Sequence, residues 1–181
     1  MSVSSQYLQY NNNQGLVSNG TTMGAYATSG SDAYEARTFM RFGGLDTLRG
    51  RTVTKAELSL SFNFGSSGYT LAGKYLAAPW NASASTFGWS KRTDVGSWAA
   101  PGSGGADWLT GTGFQITGFN GSAADTRKVL LDPAVVQAWI DNPQTNWGFV
   151  LVPTSANQIS WVRASEDSNA NLRPTLQLTF Q

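Results

Sequence analysis

The sequence predicts an all-β fold, a two-sheet, jelly-roll-like antiparallel sandwich with one short helix near residues 133–141. Three observations lead to this prediction. Apolar and polar residues alternate over several short segments, which is the pattern of half-buried strands. Charged residues make up 13% of the chain, against about 25% in an average globular protein. Aromatic residues make up 12% and glycines number 20, a combination typical of short strands joined by many turns.

The clearest strand signal covers residues 56–64, where every second side chain is apolar. Similar but weaker patterns predict strands near 7–10, 22–27, 36–42, 69–78, 113–118, 147–152, 159–163 and 175–180. Between two of these, residues 80–113 contain several tryptophans, glycines and a proline. We expect a long excursion with little regular structure there, and loops of this length tend to carry function.

One segment departs from the β pattern. Asp132 precedes Pro133, which places a capping carboxylate before a proline at the first helical position. The apolar residues that follow share one face of a short helix: Val135, Val136, Trp139 and Ile140. Asn142 and Pro143 are expected to end it.

The chain is long enough for one domain. Residues 1–35, rich in Asn, Gly, Ser and Thr, are expected to form an N-terminal arm with the first short strands. Residues 36–181 are expected to form the sandwich, which makes a single domain together with the arm. The first residues lack the features of a signal peptide, and no apolar stretch approaches the roughly 18–20 residues of a membrane span. We therefore expect no membrane insertion.

Charge and composition exclude several functions. The chain has 12 basic and 11 acidic residues, a net charge of +1, and its basic residues are scattered. Nucleic-acid partners are not expected, because a basic stripe is missing. The absence of cysteine rules out disulfides and thiolate metal sites.

Catalysis is not expected either. Without histidine or cysteine, the Ser-His-Asp and Cys-His arrangements cannot be built. Hydrolysis by two carboxylates stays formally open, with Asp107, Asp125 and Glu166 as the acids least explained by strand or cap roles. Nothing in the sequence pairs two of them, and we predict a protein that is not an enzyme.

Tryptophan is abundant, with seven residues, and most of them, including Trp139 and Trp147, are expected in the core. Trp98 and Trp108 differ because they lie in a Gly-rich polar loop with few apolar neighbours. Flat indole faces can stack on sugar rings, so we predict a glycan- or surface-binding face at these two residues. Basic side chains elsewhere are candidates for holding an acidic glycan on this face: Arg41, Lys74 and Arg163.

A polar segment near the C-terminus resembles the first part of a calcium loop. Asp167, Asn169 and Asn171 present oxygen ligands at alternate positions. The glycine and the downstream glutamate of an EF-hand are missing. Calcium is therefore a candidate cofactor, and a polar turn between the last two strands is the alternative.

Several short motifs occur in a characteristic order across residues 36–181. They are Arg37-Thr-Phe-Met-Arg-Phe42, residues 53–62, Trp80 with Phe87-Gly88-Trp89, Trp98 with Pro101-Gly102 and residues 104–107, residues 129–139, Asn146-Trp147-Gly148-Phe149, and Ser165-Glu166 with Arg173-Pro174. Together they resemble DNRLRE-type β-sandwich modules, which are related to a carbohydrate-binding module family attached to alginate-degrading enzymes. Residues 11–23 and 167–171 depart from the family pattern. The resemblance implies a jelly-roll-like sandwich with a non-catalytic binding or adhesive role, and leaves the ligand open.

Two functions follow as alternatives. The first is a virion surface or adhesion protein of a bacteriophage, either a capsid decoration or a minor tail component, whose partners are other virion subunits. It rests on a start at Met1 without an export signal and on a surface low in charge. The second is a carbohydrate-binding module from a secreted polysaccharide-degrading enzyme, which binds an acidic glycan such as alginate. We take the first as the prediction, at the virion surface or outside the cell, with homo-oligomerisation as an open question.

Overall fold

Antiparallel strands and one short α-helix make up the residues that the computed structural model describes, which are 2–11, 14–18, 21–30, 34–81, 87–121 and 125–181. Residues 2–11, 14–18 and 34 are described by their backbone alone. The strands are β1 (Ser2–Asn11), β2 (Gln14–Ser18), β3 (Thr22–Ala27), β4 (Tyr34–Gly43), β5 (Val53–Gly65), β6 (Leu71–Tyr75), β7 (Phe114–Ile116), β8 (Asp125–Leu131), β9 (Phe149–Pro153), β10 (Gln158–Arg163) and β11 (Thr175–Phe180). The helix α1 covers Pro133–Asp141 and lies between β8 and β9.

The strands form a sandwich of two layers, as the sequence predicts. In one layer, β4 pairs with β1 and β9, β2 lies outside β1, and β6 and β7 extend the sheet beyond β9. In the other layer, β5 pairs with β8 along one edge and with β11 and β10 along the other, and β3 lies outside β10. A short pairing of β3 with β4 joins the two layers into one curled sheet.

The N-terminal segment is part of this sheet. β1 runs alongside β4 over its whole length, from Ser2 opposite Gly43 to Asn11 opposite Tyr34. β3 pairs with β10 from Thr22 to Ala27, and the predicted strand at 22–27 is confirmed. Residues 1, 12–13, 19–20 and 31–33 of the predicted arm lie outside the described residues.

The main core fills the space between the layers. The strands that line this core contribute every second side chain to it. Examples are Leu58, Leu60 and Phe62 of β5. Tyr69 and Tyr75 are fully buried there, and burial raises the pKa of both phenols because a phenolate would lose its hydration. The Tyr75 hydroxyl accepts a hydrogen bond from the Asp132 backbone N–H at 2.8 Å, which connects β6 to the start of α1.

The helix begins and packs as predicted. Asp132 is its N-cap, and the Asp132 carboxylate accepts a hydrogen bond from the Ala134 backbone N–H at 2.8 Å. Its buried face consists of the four residues that the spacing predicts: Val135, Val136, Trp139 and Ile140. The helix thereby closes one end of the main core.

A second, smaller core lies on the outer face of the β4–β9 layer. Phe39 and Val150 project outward from that layer and are fully buried beneath the long segment after β6. That segment contributes most of the remaining members of the cluster: Leu76, Trp80, Phe87, Trp89 and Trp98. The described parts of this segment have little regular structure, as predicted, because they are held by aromatic packing and loop hydrogen bonds rather than by strand pairing.

Gly148 allows this layer to close. Its φ is +69°, a conformation that favours glycine, and a Cβ atom there would overlap the carbonyl oxygen of Met40. Any larger residue would therefore push β9 away from β4. Among the described residues, no helix is both long and apolar enough to cross a membrane.

Candidate functional site

A cavity of about 660 Å³ opens between the β6–β7 pair and the loop that precedes β7. Its volume lies within the range of about 300–1,000 Å³ that is usual for small-molecule sites. The side chains that define it are Lys74, Trp108, Leu109, Thr112, Phe114 and Gln115. We call it the Lys74 cavity.

The sheet and the loop place the two main side chains of this cavity. Leu71, Gly73 and Tyr75 of β6 are buried, so the alternation of the strand turns Lys74 towards the opposite face. Trp108 follows a 3-10 turn at Gly105–Asp107. The indole N–H of Trp108 donates to the Ser103 hydroxyl at 2.6 Å, which fixes the ring at the cavity wall.

The loop itself is held by Asp107. This carboxylate is 3% exposed and accepts hydrogen bonds from the backbone N–H groups of Ala99, at 2.8 Å, and Gly104, at 3.0 Å. The Leu109 N–H then donates to the Tyr75 carbonyl at 2.9 Å, which ties the loop to β6. The position of Trp108 therefore depends on a buried hydrogen-bond network rather than on a mobile loop tip.

Lys74 and Trp108 are in contact. The Lys74 Nζ lies 5.7 Å from the centroid of the indole ring, within the distance of a cation–π interaction. No acidic side chain lines this cavity, and within the described part of the chain no acidic side chain forms an ion pair with Lys74. The cavity thus combines a half-buried aromatic ring with a positive charge that no neighbouring acid neutralises.

The sequence-predicted site is only partly assembled. Lys74 and Trp108 lie together as just described, but Trp98 is only 6% exposed, so it does not share a binding face with Trp108. Its ring stacks on Phe39 with centroids 5.2 Å apart, and its indole N–H donates to the Gly88 carbonyl at 3.1 Å. The Trp98 ring is buried although its loop is rich in glycine and polar residues, because the outer face of β4 supplies apolar side chains for it to pack against.

The other two predicted cations lie elsewhere. The Arg41 guanidinium stacks over Trp80 on the outer face of β4, at 5.5 Å. Arg163 donates to Asp167 at 3.1 Å and to Asn63 at 2.8 Å on the opposite layer. Neither lines the Lys74 cavity, so of the three candidate cations Lys74 is the one that lies beside Trp108.

The candidate calcium loop uses its oxygen atoms internally. The Asp167 carboxylate accepts hydrogen bonds from Arg163 and, at 2.8 Å, from the Asn169 N–H. The Asn169 side chain accepts from the Asn171 N–H at 3.1 Å and caps a 3-10 turn at Ala170–Leu172. These contacts match the alternative, a polar turn stabilised by local side-chain hydrogen bonds. Among the residues that the structure describes, no three potential acidic, histidine or cysteine ligands cluster, and calcium at Asp167, Asn169 and Asn171 stays a prediction.

The three carboxylates considered for hydrolysis have different roles in the structure. Asp107 holds the loop beside Trp108, Asp125 forms an ion pair with Arg127, and Glu166 is exposed. Asp125 lines a small cavity of about 60 Å³ together with Arg163. In the described cavities, no two carboxylates face each other across one opening.

A second cavity, of about 480 Å³, lies next to the first and was not predicted from the sequence. It is lined mainly by apolar groups of α1 and the flanking loops, among them Leu76, Ala134, Ala138, Trp139 and Trp147. We call it the α1 cavity. Periodicity alone could not reveal it, because its walls come from three separate segments of the chain. Trp147 packs against the outer core, as expected, and its half-buried side chain also lines this cavity.

No family model matches the chain, and no curated protein matches it in sequence. The resemblance to DNRLRE-type modules therefore rests on the ordered motifs alone and stays a prediction. The proposed function below rests on the lining of the two cavities.

Proposed function

We propose that this protein is a non-enzymatic β-sandwich module that binds an acidic carbohydrate in the Lys74 cavity. The observation that carries the proposal is the pairing of Lys74 with Trp108 in a cavity whose lining holds no acid. A sugar carboxylate can form a charge-assisted hydrogen bond with the Lys74 ammonium. The half-buried indole offers apolar surface to the C–H groups of the same sugar, as is usual where few polar groups orient a ligand in a mainly apolar site.

The rest of the lining suits a hydroxyl-rich ligand. Thr110, Thr112 and Gln115 stand around the opening and can donate to or accept from sugar hydroxyls. The fixed position of Trp108 lowers the entropy lost on binding, because the ring is held by Ser103 before the ligand arrives.

A non-enzymatic role agrees with the positions of the acids. General acid and base catalysis of glycoside hydrolysis needs two carboxyl groups about 5–9.5 Å apart on either side of the sugar bond. Among the described residues, the Lys74 cavity is lined by no carboxylate, and the α1 cavity is lined by Asp132 alone, whose carboxylate caps the helix. We therefore propose binding, rather than glycoside hydrolysis by two carboxylates, for these two cavities.

Affinity electrophoresis in gels that contain alginate tests the proposal, with neutral dextran as the reference polymer. We expect retardation of the protein by alginate only. Lys74→Met should weaken binding at least about tenfold, since a hydrogen bond to a charged group contributes about 1.5–3 kcal/mol. Trp108→Ala should weaken it as well.

Lys91→Met is the matched control, because Lys91 is exposed and lines none of the described cavities. It makes the same change in net charge and should bind like the unchanged protein. Equal losses for Lys74→Met and Lys91→Met would mean that alginate is held by net charge rather than by the cavity.

A virion surface or adhesion role in a bacteriophage is the second candidate, and the edge strand β2 favours it. β2 pairs with β1, and no other described strand pairs with it. An open strand edge can accept a strand from a neighbouring subunit. This function predicts self-association or binding to capsid particles in native mass spectrometry and co-sedimentation, and a strict monomer that ignores the particles would contradict it.

A further inference from the structure

We propose that the α1 cavity is a second subsite of the same cleft and takes an acyl substituent, such as an acetyl ester, of the bound acidic glycan. The inference rests on the proposed function of the Lys74 cavity and names the class of glycan that the cleft selects. Three features of the described residues support it: the position of the two cavities, the state of their polar atoms and the sign of their charges.

The two cavities share a wall. Leu109 and Thr112 line both of them, and each cavity has one half-buried tryptophan, Trp108 in the first and Trp147 in the second. Leu109 is 37% exposed, so the side chain that separates the two cavities is accessible to solvent. A group attached to a sugar in the Lys74 cavity can therefore enter the α1 cavity across Leu109.

The two threonine hydroxyls of the α1 cavity already have partners. The Thr145 hydroxyl donates to the Asn142 carbonyl at 2.9 Å, and the Thr112 hydroxyl contacts the Leu109 carbonyl at 3.4 Å. A second sugar ring placed here would bury hydroxyl groups with few partners, which is unfavourable. The methyl group of an acyl substituent needs no such partners and gains from leaving water beside Ala134, Ala138 and Trp139, while its one carbonyl oxygen can face the solvent-exposed opening.

The charges give the ligand its orientation. Asp132 is the charged residue among those that line the α1 cavity, and Lys74 is the charged residue among those that line its neighbour. A sugar carboxylate is attracted to Lys74 and repelled by Asp132. The anionic group of the glycan therefore occupies the first cavity, and an uncharged apolar substituent occupies the second.

The experiment compares alginate with a sample of the same alginate that has been chemically O-acetylated, by affinity electrophoresis and calorimetry. We expect the acetylated polymer to bind about fourfold more tightly, the change that corresponds to burying one methyl group. Retention of alginate with no gain on acetylation would overturn the acyl subsite and leave the proposed function standing. Failure to retain either polymer would overturn the proposed function, and this inference with it.

Ala138→Leu then assigns the preference to the α1 cavity. Ala138 lies on the exposed side of α1 and lines the cavity, so the larger side chain fills it without entering the core. We expect the variant to lose the preference for acetylated alginate and to keep its affinity for the unmodified polymer. Ala170→Leu, at an exposed position that lines none of the described cavities, is the control and should keep the preference. A preference that survives in folded Ala138→Leu, checked by its thermal unfolding, would place the acyl group elsewhere.

Discussion

Two tryptophans of one loop, Trp98 and Trp108, have opposite roles in the folded protein. Trp98 stacks on Phe39 and is 6% exposed, whereas Trp108 is half-buried at the wall of the Lys74 cavity. Nothing local in the sequence distinguishes them, because both stand among glycine, alanine and polar residues. The difference arises from the outer face of β4, whose Phe39 is available to one ring and not to the other.

Alanine at each position separates these roles. Trp98→Ala should lower the free energy of unfolding by about 3–5 kcal/mol, because it leaves a cavity in the outer aromatic cluster. Trp108→Ala should lower it by about 1–2 kcal/mol and act mainly on glycan binding. Urea unfolding monitored by the remaining tryptophan fluorescence gives both values. Equal destabilisation by the two substitutions would show that Trp108 belongs to the core and not to a binding surface.

At the scale of single elements, most strands could be predicted because one face of each is buried. Apolar and polar residues therefore alternate along the strand. Residues 56–64 and 175–180 correspond to β5 and β11 on this basis. β8 was missed, since its inward positions begin with Asp125 and Arg127 and Leu130 is 59% exposed. The charged residues at its start pair with each other instead of avoiding the interior, and periodicity cannot show such a pairing.

The helix offers an element-scale prediction. Asp132→Ala removes the acceptor for the Ala134 N–H and should lower the free energy of unfolding by about 0.5–2 kcal/mol. Asp132→Asn keeps an acceptor oxygen and should retain most of the stability. Chemical denaturation of both variants, with helix content followed by far-ultraviolet circular dichroism, checks the difference. A loss for Asn as large as that for Ala would contradict capping as the role of Asp132.

At the scale of the whole molecule, the two cavities could not be predicted because each is formed by segments far apart in the chain. Lys74 belongs to β6, whereas Trp108 and Gln115 come from the loop and strand that follow many residues later. The sequence offered Arg41, Lys74 or Arg163 as the cation beside Trp98 and Trp108, and of these residues Lys74 and Trp108 line one cavity. The two-layer topology determines which cation lies near the Trp108 ring, because it places Arg163 on the opposite layer.

Titration of the whole molecule gives a further prediction. Histidine is absent, so few side chains titrate between about pH 6 and 9, and stability should be nearly constant there. Burial raises the pKa of Tyr69 and Tyr75 above the ordinary value near 10. The unfolded chain therefore loses these protons first as the pH rises, and stability that is present below about pH 10 is lost above it.

Urea unfolding between pH 6 and 11 measures this profile. Tyr69→Phe removes one of the two phenols and should make the alkaline decrease less steep. A steep change of stability near neutral pH, or an alkaline decrease that is unchanged in Tyr69→Phe, would disagree with the buried, neutral state of this side chain.

The central claim is that an acidic glycan binds beside Trp108 and Lys74. Its most direct test is to follow the indole N–H signals of the tryptophans by nuclear magnetic resonance while alginate oligosaccharides are added. The Trp108 signal should shift in a saturable manner, while that of the buried Trp98, which lines neither cavity, stays in place. A titration in which Trp108 does not respond, or in which only other tryptophans do, would contradict binding in the Lys74 cavity.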